Sequence, residues 1–151
     1  MIETGCFSNK AQLANELLEK IENPNWHIEL NEAEGNYSDA TIFSQGSCQL
    51  FAYALNEYFD YDIVEIRQAR GNHYYCQTSI NGVTAYIDVR GMTTNWEDFI
   101  FGLKYIQIEN DYILLEHSSD ELKAELKEPG AVFGYDFARH ILSNYSHCYR
   151  I

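Results

Sequence analysis

Residues 73–89 read HYYCQTSINGVTAYIDV, and their reading decides the fold. Asn81-Gly82 sits between two runs that alternate with period two. An Asn-Gly pair in that setting is the strongest short-range hairpin signal, because both residues accept the positive φ of a two-residue loop. Such a loop sets Ile80 opposite Val83, Tyr75 opposite Asp88 and His73 opposite Arg90. His73 and Asp88 then become diagonal neighbours on one face of the hairpin. A slip of one residue would send them to opposite faces. Cys76 has the other parity. It shares a face with Ile80, Val83, Ala85 and Ile87, which makes it a core thiol.

Working outward, DIVEIRQAR (62–70) alternates as a further strand. Ahead of it, SQGSCQLFAYAL (44–55) opens a helix predicted from Cys48 to Phe59, with Ser47 as N-cap and an apolar stripe of Leu50, Phe51, Ala54, Leu55 and Tyr58. After the hairpin, Thr94 and Glu97 fit a capping box for a short helix through Leu103. KYIQIE and YILLEH read as strands. SSDELKAELK reads as a helix boxed by Ser118 and Glu121 and stopped at Pro129-Gly130, and YDFARHILSNY as a last helix. At the N-terminal end, residues 8–22 read as a helix, residues 26–30 as a short strand and residues 31–40 as a loop. Helices at both ends with hairpin-linked strands between them predict an α+β fold with an antiparallel sheet.

The bulk properties narrow the function classes. A chain of 151 residues with 46% hydrophobic residues suffices for one packed domain, residues 1–151, and leaves little room for a second. The net charge of −13 argues against direct binding of nucleic acid or of an anionic membrane, both of which select clustered Lys and Arg. It leaves a basic protein partner open. MIETGCFSNK (1–10) has neither the basic start nor the apolar run of a secretory signal. No stretch has the length of a membrane span. Cys6, Cys48, Cys76 and Cys148 are too sparse for a disulfide scaffold, so a reduced, cytoplasmic setting is expected. The absence of a CxxC pair speaks against structural zinc, and neither metal nor cofactor is expected.

Cys48 is placed in the first turn of its helix. Unpaired N–H groups and the positive end of the helix dipole surround that position and favour thiolate, the nucleophilic form. Gly46 lets a substrate backbone come close. Asp88 can hold the His73 imidazole, and the imidazole can deprotonate a thiol. The order of these parts, Gly46-Ser47-Cys48 opening an apolar helix, His73 starting a strand and YIDVRG carrying Asp88, resembles the core of the transglutaminase-like and papain-like cysteine enzymes. The resemblance covers residues 44–91. It implies a Cys-bearing helix packed on an antiparallel sheet, with Cys48 as nucleophile, His73 as general base and acid, and Asp88 as orienting group. Oxyanion donors would be the Cys48 N–H and the Gln45 amide. In this sequence the gap from Cys48 to His73 leaves room for a single strand, and Gln45 lies closer to the cysteine than the oxyanion Gln of papain-like proteases.

The implied activity is a cysteine hydrolase or acyl transferase: a protease, deamidase or transglutaminase-like enzyme working on a protein or peptide amide or thioester. Tyr75, Thr84 and Tyr86 share the His73–Asp88 face and either line a substrate groove or face water. Arg90 is either an ion-pair partner or a clamp for a substrate carboxylate. Cys6 and Cys148 read as packing thiols, and His27, His117, His140 and His147 as surface or satisfied histidines. Two rival readings stand beside the enzyme. One is an acidic binding or inhibitor protein of phage or bacterial origin that mimics nucleic-acid charge. The other is an interaction module that keeps the papain-like fold without the reaction.

Overall fold

The structure is a computed structural model and describes residue 43 and residues 47–101, 108–127 and 131–150. The expected helix at 8–22, strand at 26–30 and loop at 31–40, most of KYIQIE, the Pro129-Gly130 stop, and the residues Cys6, His27, Gln45 and Gly46 lie outside them.

Helix α1 runs Cys48–Phe59 and buries Cys48 and every residue from Leu50 to Leu55. It ends where Asp60 turns left-handed at φ 59° and returns its N–H to the Asn56 carbonyl at 2.8 Å. Ser47 stands in front of α1, but its side chain makes no capping bond. Instead the Leu50 N–H reaches the Ser47 carbonyl at 3.1 Å and tightens the first turn. The strands are β1 (Asp62–Arg67), β2 (Asn72–Ile80), β3 (Val83–Asp88), β4 (Gly91–Thr93) and β5 (Ile113–His117). They form one antiparallel sheet in the order β4-β3-β2-β1-β5. The α+β class with an antiparallel sheet is therefore observed.

The hairpin register is the expected one. Ile80 pairs with Val83, Thr78 with Ala85 and Cys76 with Ile87. Asn81 and Gly82 both take positive φ, at 52° and 82°, as a primed two-residue turn requires. Helix α2 (Trp96–Phe101) follows β4. Its cap is Asn95, not Thr94. The Asn95 side-chain oxygen accepts the Asp98 N–H at 3.1 Å, and the Thr93 hydroxyl accepts the Asn95 N–H at 3.1 Å. Because β4 runs through Thr93, Asn95 is the residue directly before the helix. Helix α3 (Ser119–Lys123) carries the predicted capping box of Ser118 and Glu121 and passes into a 3₁₀ turn, Ala124–Lys127. Helix α4 (Ala131–Asn144) begins four residues before the expected Tyr135, and a 3₁₀ turn, Ser146–Cys148, closes the described chain. Ile108 and Glu109, the described end of KYIQIE, are not in a strand.

The sheet is covered on both faces, which is why β1 buries four consecutive residues, Ile63 to Ile66. On the first face α1 packs against Ile63, Cys76, Ala85 and Ile87, and α4 packs on α1. The Cys76 thiol donates to the Ala52 carbonyl at 3.2 Å, tying β2 to α1. On the second face Phe99 of α2 packs with Val64, Ile66 and Tyr75, flanked by Tyr86 and Trp96. Among the described residues no helix is long and apolar enough to cross a membrane.

Candidate active site

Cys48 and His73 approach from different faces of the sheet. Cys48 heads α1 on the first face, whereas His73 shares its parity with Tyr75 on the second. They meet where β3 stops. Continuing the β2–β3 pairing past Tyr75 and Asp88 brings Tyr74 level with Val89, beyond the end of β3. The Tyr74 N–H points instead at the Cys48 sulfur, 3.3 Å away. This resolves a conflict in the sequence. The face carrying His73, Tyr75 and Asp88 is covered by α2, and α1 lies on the other.

The His73 ring is fully buried. Its Nε2 is hydrogen-bonded to Asp88 Oδ2 at 3.0 Å. Its Nδ1 is also buried and makes no hydrogen bond of good geometry, so it is the nitrogen left for the nearby Cys48 thiol. Burial works against charge on the ring. The hydrogen bond to Asp88 and the interaction with the Cys48 sulfur outweigh it and raise the His73 pKa to about 9. These partners favour the charged form of the ring.

Asp88 is held in turn by Arg90. The Arg90 backbone N–H reaches Oδ1 at 2.9 Å, its Nε reaches Oδ1 and Oδ2 at 3.0 and 3.1 Å, and its Nη2 reaches Oδ2 at 2.7 Å. Gly91, at φ 114°, turns the chain so that the Arg90 backbone and side chain both close on one carboxylate. The guanidinium rests on the Phe99 ring, 4.8 Å from its centroid. Burial tends to protonate Asp88, but the Arg90 charge and the His73 and Arg90 hydrogen bonds hold its pKa well below the usual carboxylate range.

Two of the sequence-selected residues are not presented to a substrate. Arg90 is committed to Asp88, which is its ion-pair reading and not the substrate-clamp one. Tyr75 is completely buried beneath α2, with its ring 4.9 Å from that of Phe99. Thr84 and Tyr86 do line an open groove, described below. Cys76 is a core thiol whose pKa burial pushes well above the ordinary value.

A second polar cluster escaped the sequence reading. Glu65 is 2% exposed and faces the α1 side of the sheet. Its carboxylate accepts from Arg67 at 2.9 and 3.3 Å, from Asn72 at 2.8 Å and from His117 Nε2 at 2.8 Å. His117 Nδ1 is bonded to Glu121 at 2.7 Å. The network ties β1, β2, β5 and α3 together. Its one sequence signal is an acid at an inward position of DIVEIR. Among the described residues no group of three or more His, Cys, Asp or Glu side chains is arranged to hold a metal ion.

Comparison of the chain with protein-family models, curated proteins and solved structures gives no match. The chemistry of the site rests on its own atoms.

Proposed function

We propose that the protein is a cysteine-dependent hydrolase or acyl-transfer enzyme with a transglutaminase-like or papain-like core. The observation that supports this is the His73 ring, fully buried between Asp88 on Nε2 and the Cys48 thiol on its uncommitted side. In the proposed reaction the Cys48 thiolate attacks the carbonyl carbon of an amide or thioester. The C–S bond to the enzyme forms, the bond to the amine or thiol leaving group breaks, and the His73 proton goes to that leaving group. Water or an amine then attacks the enzyme thioester, His73 takes its proton, and Cys48 is released. Asp88 keeps the ring oriented and its charge matched. Arg90 acts through Asp88 as a positioning residue. The Tyr74 N–H steadies negative charge on sulfur between turnovers.

A second reading, an interaction module without catalysis, draws on one observation. Cys48 is only 4% exposed and His73 is not exposed at all, so a substrate carbonyl needs an opening at the α1 N-terminus. Carbamidomethylation by iodoacetamide at pH 7, followed by mass spectrometry of the Cys48 peptide, separates the two. The enzyme reading expects Cys48 to react faster than a free thiol, and about tenfold or more slowly in His73→Ala. Labelling no faster than a free thiol and equal in both proteins would sink it.

A further inference from the structure

On the second face of the sheet, away from Cys48, lies an open groove of about 470 Å³ lined by Gln77, Thr84, Tyr86, Trp96, Tyr112 and Leu114. Three of these are aromatic and packed into one cluster: Tyr86 and Trp96 ring centroids are 4.9 Å apart, and Trp96 and Tyr112 are 6.1 Å apart. The indole N–H of Trp96 is already donated to the Tyr112 hydroxyl at 3.2 Å. With the indole N–H spent, these rings offer a ligand their π faces and the hydroxyls of Tyr86 and Tyr112. A π face attracts cations and repels anions. The inner end of the same cluster shows this preference, since the Arg90 guanidinium rests on Phe99.

The surroundings carry the matching sign. Asp62 pairs directly with Gln77, and Glu116 pairs with Val64. Both share the groove's parity on the sheet, and both are exposed. Glu97 and Asp98 stand in the first turn of α2, next to Trp96. The chain as a whole carries −13, so a cationic ligand is drawn in by the long-range field as well. A free ammonium ion would leave most of the groove empty. A chain segment would fill it and lie along β5, which is an edge of the sheet among the described residues and exposes Leu114 on the groove face at 47%.

We propose that this groove is a docking site for a lysine-bearing segment of a basic protein, with the lysine ammonium on the Trp96, Tyr86 and Tyr112 rings and further positive charge against Asp62 and Glu116. The site is separate from Cys48 and does not depend on the catalytic reading. Isothermal titration of the full chain tests it with three probes: a twelve-residue Lys/Gly/Ser peptide, the same peptide with Glu for every Lys, and n-butylammonium. The Lys peptide binds saturably with one site, the Glu peptide does not bind, and n-butylammonium binds more weakly than the Lys peptide. Trp96→Leu weakens the Lys peptide about fivefold or more, as loss of a desolvated cation–π contact requires. Asp62→Asn/Glu116→Gln, two exposed positions that leave the aromatic cluster intact, weakens it about threefold or more at low salt. Asp120→Asn/Asp136→Asn removes the same charge from the helices of the opposite face and leaves binding unchanged. The proposal is overturned by lack of Lys-peptide binding, by binding of the Glu peptide, or by n-butylammonium binding as tightly as the Lys peptide. It is equally overturned if the groove variants lose no more affinity than the Asp120/Asp136 control.

Discussion

His73 and His117 both sit beside a buried carboxylate, and they are built for different ends. His117 gives Nε2 to Glu65 and Nδ1 to Glu121, so both ring nitrogens are consumed. Glu65 is equally saturated, by Arg67, Asn72 and His117. Such a network holds strands and helix together and has no atom left to move a proton to a substrate. His73 spends Nε2 on Asp88, keeps Nδ1 buried without a hydrogen bond of good geometry, and interacts with the Cys48 sulfur. A histidine beside a buried carboxylate thus makes a closed clamp in one place and, on the proposed reading, an acid–base pair in the other. What separates them is the valence left over, not the strength of the ion pair.

The largest expected effect comes from emptying the acid side of the poised pair. Asp88→Ala leaves the Arg90 and His73 charges buried without a counter-ion, a situation that costs about 3–5 kcal/mol. Urea denaturation should show a loss of that order, with an unchanged slope if the transition stays two-state. A stability close to wild type would mean that the Asp88 carboxylate is not the charge that Arg90 and His73 depend on.

The clamp should be worth less and should be silent toward sulfur. His117→Ala leaves the buried Glu65 without one charged hydrogen bond, for a loss of about 2 kcal/mol in the same assay. The iodoacetamide rate of Cys48 in that variant should match wild type. A large change in that rate would show that the two clusters are coupled and would erase the contrast between them.

The pH dependence follows from the His73 shift. Its pKa is raised from the ordinary 6.5 to about 9. A raised histidine contributes stability that is fully present below the ordinary pKa and is lost as pH rises through the folded one. Chemical denaturation between pH 6 and 10 should show stability falling across that window. The fall should be shallower in Asp88→Asn, which removes the partner that raises the ring. The smallest effect is expected from Arg90→Lys, which keeps a positive charge near Asp88 but loses the fork. Labelling of Cys48 should slow about two- to fivefold at pH 7, because the positioning is weakened and the thiol is untouched. A rate at or below that of Asp88→Ala would show that the guanidinium acts directly on the sulfur.

Much of the geometry was legible in the sequence, and the reason is local. The Asn81-Gly82 turn dictates the β2–β3 register on its own, and the register places His73 by Asp88 and sends Cys76 to the core. The α1 boundaries follow from a compact apolar stripe. The covering of the second face was not legible. Tyr75 and Tyr86 carry hydroxyls and alternate with Cys76 and Ala85, so they read as water-facing or substrate-facing. Only the arrival of Trp96 and Phe99 from α2, after the β4 turn, buries Tyr75. The Glu65–His117 contact spans 52 residues of sequence and depends on β5 returning beside β1, which no local signal announces. The donor on the Cys48 sulfur is a backbone N–H, so it carries no side-chain signature. It is available because β3 stops at Asp88.

On the proposed reading Cys48 and His73 share one electrostatic unit, and the titration of the His73 ring reports that coupling. Histidine-labelled protein, followed by NMR from pH 5 to 10, should show one ring titrating near 9 in wild type. In Cys48→Ala that ring should titrate lower, because the sulfur is one of the groups that raise it, while the His117 ring stays where it was. A His73 ring whose titration is the same with and without the Cys48 sulfur would contradict the account.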